Sequence, residues 1–174
     1  YRIDPAGHIT VEAELKPQKI IVPGDPSSAA FPVVAALITP GSDVTVTNVG
    51  MNPTRTGLFR MLEAMGADLT YHIEREVGGE PVADIRARAS RLTGIDVPPD
   101  IAPSMIDEFP IFFVAASMAE GTTRTTGLEE LRVKESDRLA LMAQGLARTG
   151  ARVEEQTDGL TITGSGGEPL KGGN

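Results

Sequence analysis

The chain has 174 residues, of which 40% are hydrophobic and 23% charged, and this composition is typical of a soluble globular protein with a sizeable core. No apolar run reaches the roughly 20 residues that a membrane-spanning helix needs. The net charge of −8 and the absence of tryptophan argue against a nucleic-acid partner, because such partners are held by clustered cations and aromatic platforms. The absence of cysteine excludes disulfides and thiolate zinc sites and suits a reducing compartment such as the cytoplasm.

The first residues predict a strand and then a hinge. Residues 9–15 alternate apolar and polar side chains, as half-buried strands do, and "KIIV" then leads into the turn "PGDP". We place a domain boundary or hinge near Val22 to Gly24. Because the sequence opens in mid-strand, without Met at position 1 and without a signal peptide, we expect a piece of a longer protein.

A helix and a strand come next. "DPSSAAFPVVAALI" predicts a helix that is capped by Asp25 or Ser27 and ends near Ile38. Pro32 fits this helix only if it lies in the first turn, where backbone N–H groups have no partner. "SDVTVTNV" alternates and predicts a strand.

A second helix is predicted over "NPTRTGLFRMLEAMGA", with Asn52 as its N-cap, Pro53 at the first helical position and Gly66 just past its end. Four apolar residues at helical spacing predict one buried stripe, formed by Leu58, Met61, Leu62 and Met65. Two strands, "ADLTYHI" and "VADIRARA", follow on either side of the loop "VGGEP".

The same order of elements then recurs. "IDEFPIFFVAASMAEG" predicts a helix with Phe-Pro near its start, "TTRTTGL" a strand, "KESDRLALMAQGLARTGA" a helix, and "ARVEEQ" and "GLTITG" two strands. The second of these helices repeats the buried stripe with Leu139, Met142, Ala143 and Leu146. Two copies of one unit, each with a preceding strand, therefore fill about residues 19–164. The predicted fold class is α/β (α+β), with helices on one face of a sheet, and the glycine-rich tail, residues 165–174, is expected to be a mobile loop.

Charged residues crowd into "LRVKESDRL", residues 131–139, at the predicted start of a helix. If the helix begins near Lys134, that residue meets Arg138 at i, i+4, and Glu135 meets Arg138 at i, i+3. Two cations on a turn with free N–H groups suit a small dianion or trianion. The alternative interpretation is a surface ion pair, which contributes about 0.3–0.5 kcal/mol.

Extended to "LRVKESDRLALMAQGL", this segment resembles the signature of the 5-enolpyruvylshikimate-3-phosphate synthases, enzymes of aromatic amino-acid synthesis that glyphosate inhibits. The likeness covers nearly all of the chain, through "VPGDPSSAAFPVVAAL", "MNPTRTGL", "LEAMGAD", "APSMIDEFPI" and "TGLEELRVKESDRL". The resemblance implies two lobes, each of three βαβαββ units. Residues 1–22 would then end one lobe, and residues 23–174 would hold about two units of the other, over about 23–90 and 91–164.

The resemblance also implies a reaction. The family transfers the enolpyruvyl group of phosphoenolpyruvate to the 5-hydroxyl of shikimate 3-phosphate by addition and elimination, and releases phosphate. It implies these two molecules and the remainder of the same chain as partners, no cofactor or metal, and a monomer when complete. Because several of the family's cleft motifs have no match here, we expect the chain alone to be inactive.

Roles for four residues follow from the resemblance. Asp107 corresponds to the aspartate that accepts the proton of the 5-hydroxyl, and Glu135 to the glutamate that transfers a proton at the methylene carbon. Lys134 corresponds to the lysine that contacts shikimate 3-phosphate, and Arg138 to an arginine that grips phosphoenolpyruvate. Asp107 is also interpreted, from its position alone, as the N-cap of the next helix. One departure is Glu130, which stands where many relatives carry Asn.

Two alternatives stay open. The UDP-N-acetylglucosamine enolpyruvyl transferases share the fold and chemistry but do not show "RVKESDR", and a non-catalytic domain of the same fold would need none of these roles. Arg55 is interpreted as a packing or surface residue, and His8 and His72 lack the neighbouring ligands of a metal site. The small residues of "GDPSSAAF" favour capping and a hinge over phosphate binding.

Overall fold

The structure, a computed structural model, describes residues 2–10, 17 and 19–172. A short hairpin comes first, with strand β1 (Arg2–Ile3) antiparallel to strand β2 (Ile9–Thr10). The strand predicted over residues 9–15 is present at its first two residues. The rest of that prediction lies outside the described residues.

The first α/β unit follows the predicted order of elements. Helix α1 (Pro26–Ile38) leads into strand β3 (Asp43–Gly50), and helix α2 (Gly57–Ala64) leads into strands β4 (Asp68–Val77) and β5 (Glu80–Arg88). Strand β5 lies in the middle of the sheet and pairs antiparallel with both others, which gives the order β3-β5-β4.

The second unit repeats this arrangement. Helix α3 (Phe109–Met118), strand β6 (Thr122–Arg124), helix α4 (Arg138–Arg148) and strands β7 (Arg152–Gln156) and β8 (Gly159–Thr163) form it. Its sheet has the order β6-β8-β7, again antiparallel with the last strand in the middle. The predicted α/β class and the repeated order of helices and strands are therefore confirmed.

The strand predicted before each unit is reduced to isolated bridges. Gly24 bridges Val49 of β3 in parallel, and Asp96 bridges Arg124 of β6 in the same way. Prolines lie within two residues of both Gly24 and Asp96. Because proline has no N–H to donate, a longer ladder cannot form there.

Helix α1 begins and ends as the sequence predicts. The carboxylate of Asp25 accepts hydrogen bonds from the backbone N–H groups of Ser27 (3.3 Å) and Ser28 (3.0 Å), and the last helical residue is Ile38. Pro32, however, lies in the second turn, so the prediction that it must lie in the first is wrong. Pro32 lies on the exposed side of the helix, as does Ser28, whose backbone carbonyl lacks the N–H donor that a residue other than proline would supply. Water can bond this carbonyl instead.

Helix α2 begins later than predicted. The side chain of Asn52 accepts from the backbone N–H (3.0 Å) and hydroxyl (2.8 Å) of Thr54, and so forms a local turn instead of a helix cap. The helix then starts at Gly57, and Pro53 lies outside it. Its predicted end is confirmed, since Gly66 follows it with φ of +90°.

The core lies between the helices and the inner faces of the two sheets. Phe109, Phe112 and Phe113 of α3 are fully buried, with ring centroids 5.7 to 6.4 Å apart. Both predicted stripes face this core, with Met142 partly buried and the other members buried: Leu58, Met61, Leu62, Met65, Leu139, Ala143 and Leu146. Within the described ranges, no helix has the length and apolarity needed to cross a membrane.

The first residues of the glycine-rich tail, which is predicted to be a mobile loop, are bonded to the end of helix α3. The backbone N–H groups of Ser165, Gly166 and Gly167 donate to carbonyls at the end of that helix, at 2.8 to 2.9 Å. These carbonyls have no partner within the helix, so the tail supplies the donors that its last turn lacks.

Replacing Gly57 with alanine is expected to destabilise the fold. An added Cβ would lie 2.3 Å from Ser104 Oγ and 3.0 Å from Met105 Cβ, so α2 would have to move away from the second unit. We expect Gly57→Ala to lower the free energy of unfolding by about 1–3 kcal/mol, measured by chemical denaturation.

The matched control is Gly145→Ala on the exposed face of helix α4, where an added Cβ has open space. This change is expected to raise the free energy of unfolding by up to about 1 kcal/mol, because alanine favours the helix. Equal effects at the two glycines would contradict the packing argument.

Candidate active site

Helix α4 begins at Arg138, and the charged segment lies just before it. The carboxylate of Asp137 accepts from the backbone N–H of Ala140 (2.9 Å) and caps the helix. Lys134 and Glu135 therefore lie in a bend between a 3₁₀ turn (Glu129–Arg132) and the helix. The prediction that the helix begins near Lys134 is wrong, because Asp137 caps the helix and its first residue is Arg138, four residues later.

Arg138 holds two carboxylates at once. Its Nε and Nη2 donate to the two oxygens of Glu135, both at 2.9 Å, and its Nη1 donates to Asp107 Oδ1 at 3.0 Å. The predicted pair between Glu135 and Arg138 is thereby confirmed. The bond to Asp107 joins the start of α4 to the turn before α3, and the two predicted proton-transfer residues share one guanidinium.

Lys134 pairs with Glu130 instead of lying against Arg138 on a helical turn. Its ammonium donates to the Glu130 carboxylate, and about a quarter of the lysine side chain (27%) is exposed. Glu130, the departure from the family pattern, is therefore the ion-pair partner of Lys134 in this structure. The cluster as a whole opposes three carboxylates to two cations.

Arg132 fastens the charged segment to the second sheet. Its guanidinium donates to the backbone oxygens of Gln156 and Thr157, in the turn between β7 and β8, and to the carboxylates of Asp137 and Glu155 at 2.9 Å. In the sequence, this arginine is only one of several charges in "LRVKESDRL". Its role depends on the β7–β8 turn, which no local pattern connects to residue 132.

Hydrogen bonding shifts the pKa values of Glu135 and Arg138. The bidentate bond from Arg138 lowers the pKa of Glu135 below its ordinary value of 4.5, and the positive charges of Arg138 and Lys134 act in the same direction. The same bonds raise the pKa of Arg138. Glu135 is therefore ionised at neutral pH in this state.

A second cluster lies at the start of helix α1. Arg55 Nη2 donates to Ser27 Oγ (2.8 Å) and lies 3.6 Å from Asp25, while the Ser27 hydroxyl donates to Glu108. Glu108 is 4% exposed and occupies the N-cap position of α3 without a capping hydrogen bond from its side chain. The interpretation of Asp107 as that N-cap is wrong, because its carboxylate turns to Arg138 instead.

The histidines lie apart from these clusters. His8 Nδ1 is 2.8 Å from Asp4 in the N-terminal hairpin, and His72 is exposed on strand β4. In the part of the chain that the structure describes, no group of three or more His, Asp or Glu side chains is placed to hold a metal ion.

Removing the guanidinium is expected to change how Glu135 titrates. In Arg138→Gln, the pKa of Glu135 should rise toward its ordinary 4.5, because the main bond that favours the carboxylate is lost. The Glu135–Arg138 pair stabilises the fold above the pKa that Glu135 has in the unfolded chain, and this stabilisation is lost as the pH falls through the lower pKa of Glu135 in the folded chain. Because Arg138→Gln lacks the pair, its free energy of unfolding should fall less in acid than that of the parent protein.

Carboxyl NMR titration and urea unfolding at several pH values measure these two effects. The control is Arg124→Gln, which removes the exposed ion pair between Arg124 of strand β6 and Asp96. It should leave the titration of Glu135 unchanged. An unaltered Glu135 pKa in Arg138→Gln would show that the bidentate bond does not control it.

Comparison with known proteins identifies the family. The sequence matches the family described as EPSP synthase (3-phosphoshikimate 1-carboxyvinyltransferase) over residues 3–174. The 3-phosphoshikimate 1-carboxyvinyltransferase of Sphingopyxis alaskensis is 67% identical over 98% of this chain and 39% of its own length, and that of Zymomonas mobilis is 67% identical over 91% and 35%.

A solved EPSP synthase from Acinetobacter baumannii has the same fold. It superposes with a TM-score of 0.82 at 54% identity, over 84% of this chain and 33% of that one. The chain thus spans between 33% and 39% of the length of these relatives. With a family match over residues 3–174 and this shared fold, the chain belongs to the EPSP synthase family.

Proposed function

We propose that this chain supplies part of the active site of an enzyme that transfers the enolpyruvyl group of phosphoenolpyruvate to the 5-hydroxyl of shikimate 3-phosphate and releases phosphate. The observation that carries the proposal is the single guanidinium of Arg138, which holds Asp107 at 3.0 Å and Glu135 at 2.9 Å. Family membership favours this reaction over that of the UDP-N-acetylglucosamine enolpyruvyl transferases.

The reaction needs a base, an acid and cations. In the addition step the 5-hydroxyl loses its proton and its oxygen bonds to C2 of the enol, while C3 gains a proton. In the elimination step C3 loses a proton and the C2–O bond to phosphate breaks. Two proton-transfer groups must therefore act a few ångströms apart, beside cations that hold two phosphates and a carboxylate.

The two carboxylates on Arg138 meet the first requirement. Asp107 is the group that accepts the hydroxyl proton, and about half of its side chain (54%) is exposed where a substrate can reach it. Glu135, 67% exposed on the other side of the guanidinium, is the group that gives a proton to C3. Their shared cation sets the separation between base and acid before phosphoenolpyruvate binds.

Ligand binding would exchange the partners of Arg138. The carboxylate or phosphate of phosphoenolpyruvate competes with Glu135 for the guanidinium, because all are anions that accept its N–H groups. Release from Arg138 removes the main cause of the lowered Glu135 pKa, so the glutamate can then carry a proton. Lys134 likewise leaves Glu130 to contact shikimate 3-phosphate near the reacting hydroxyl.

The remainder of the synthase chain would supply the other part of the cleft. This chain spans at most 39% of the first relative, and the reaction requires both substrates to be enclosed. We place the complete protein in the cytoplasm as a monomer, with residues 1–22 at the end of one lobe and residues 23–174 in the other.

Glu135→Gln tests the proton transfer, in a full-length synthase that carries this sequence. We expect kcat to fall by about 10²–10⁴-fold, because an amide cannot transfer the proton, while the KM of both substrates changes little. Steady-state phosphate release measures kcat and the two KM values. Glu129→Gln, a nearby exposed glutamate, is the control, and equal kcat values for Glu135→Gln and the parent enzyme would remove Glu135 from the mechanism.

Lys134→Ala tests the substrate contact. Because a hydrogen bond to a charged group contributes about 1.5–3 kcal/mol, the Kd of shikimate 3-phosphate should rise roughly ten- to a hundredfold in calorimetry. The control Lys171→Ala removes an exposed cation of the tail and should leave the Kd unchanged. A non-catalytic domain of the same fold would bind equally well, or not at all, with and without Lys134.

A further inference from the structure

The carboxylate of Glu108 is buried directly beside the candidate base. It is 4% exposed, although glutamate is almost never buried to this degree unless it is paired. Its partner is the hydroxyl of Ser27, which donates to Glu108 Oε1 from the first turn of α1. A residue of the first unit thus holds the residue that follows Asp107.

A cation completes this contact. The Ser27 oxygen accepts from Arg55 Nη2 at 2.8 Å while its proton goes to Glu108, so the serine transmits a chain of hydrogen bonds from the arginine to the glutamate. Arg55 Nη2 also lies 4.0 Å from Glu108 Oε1, where its charge offsets the burial of the carboxylate. The backbone N–H of Ser27 donates to the Asp25 carboxylate at 3.3 Å, and this bond holds Ser27 in place.

The turn that carries Asp107 is consequently held at three points. Met105 is fully buried where Gly57 approaches it, Glu108 is bonded to Ser27, and Asp107 itself is bonded to Arg138. Two of these points belong to the first unit and one to helix α4. Because Glu108 is the next residue along the chain, its bond to Ser27 restrains the backbone that carries Asp107.

We propose that Glu108 is a positioning residue, which acts through its bond to Ser27 to aim Asp107 at the substrate hydroxyl. This inference rests on the proposed function, since it requires Asp107 to be the base. Arg55, which the sequence suggests to be a packing or surface residue, then serves the site by neutralising Glu108. Misplacing a catalytic group by about 1 Å can lower turnover on the order of a hundredfold.

Glu108→Ala in a full-length synthase that carries this sequence tests the proposal. We expect kcat to fall roughly ten- to a hundredfold with little change in KM, because the base is displaced while the substrate contacts of Lys134 and Arg138 remain. Glu108→Gln should recover most of the lost kcat, since its amide oxygen still accepts from Ser27. The matched control is Glu120→Ala, an exposed glutamate at the other end of α3, which should leave kcat unchanged.

The decisive measurement repeats the substitution in an Asp107→Asn background. If Glu108 acts through Asp107, then Glu108→Ala lowers kcat in the parent enzyme and has no further effect on the residual kcat of Asp107→Asn. An equal loss in both backgrounds would mean a general structural defect and would overturn the proposal. If Asp107→Asn itself keeps the parent kcat, the assignment of the base fails, which is a different result from failure of the positioning role.

Ser27→Ala provides a second route if Glu108→Ala does not fold. It removes the donor from the α1 side and leaves the glutamate in place, so the same loss of kcat and the same dependence on Asp107 are expected. Normal kcat in Ser27→Ala, with an unchanged melting temperature, would overturn the proposal.

Discussion

The guanidinium of Arg138 is the interaction on which the site depends. Two carboxylates from separate parts of the chain, Asp107 and Glu135, converge there, and like charges at such short range disfavour ionisation unless a cation lies between them. A planar guanidinium offers donors in several fixed directions, so it bonds both oxygens of one carboxylate and still reaches the other. A lysine at this position would provide the charge without that geometry.

Helix starts give the site its architecture. The start of α1 is bonded to the start of α3 through Ser27 and Glu108, and the start of α3 is bonded to the start of α4 through Asp107 and Arg138. The starts of α1, α3 and α4 therefore lie near one another, and polar side chains at those starts meet. The buried phenylalanines of α3 pack in the core and keep the helices from shifting, so the polar contacts at the helix starts are held in fixed positions.

Both cations proposed to bind substrates are paired with carboxylates of the chain itself. Lys134 bonds Glu130, and Arg138 bonds Glu135 and Asp107. Under the proposed function, substrate anions would replace these internal carboxylates, and the net electrostatic change on binding would be smaller than direct contact suggests. The proposed exchange would link phosphoenolpyruvate binding to the protonation of Glu135, since the bond from Arg138 that lowers the pKa of Glu135 is the bond that the ligand would break.

The sequence by itself determined the order of helices and strands, both buried stripes, a cap for α1 at Asp25 or Ser27 and the pair between Glu135 and Arg138, because these depend on residues within a few positions of each other. It misplaced the starts of α2 and α4, since Asn52 and Asp137 can cap a helix or close a turn with the same side-chain oxygens. Only the tertiary structure brought Arg138 to Asp107 and Ser27 to Glu108, which are 31 and 81 positions apart. Local spacing carries no record of such contacts, because they exist only once the core has packed the two units together.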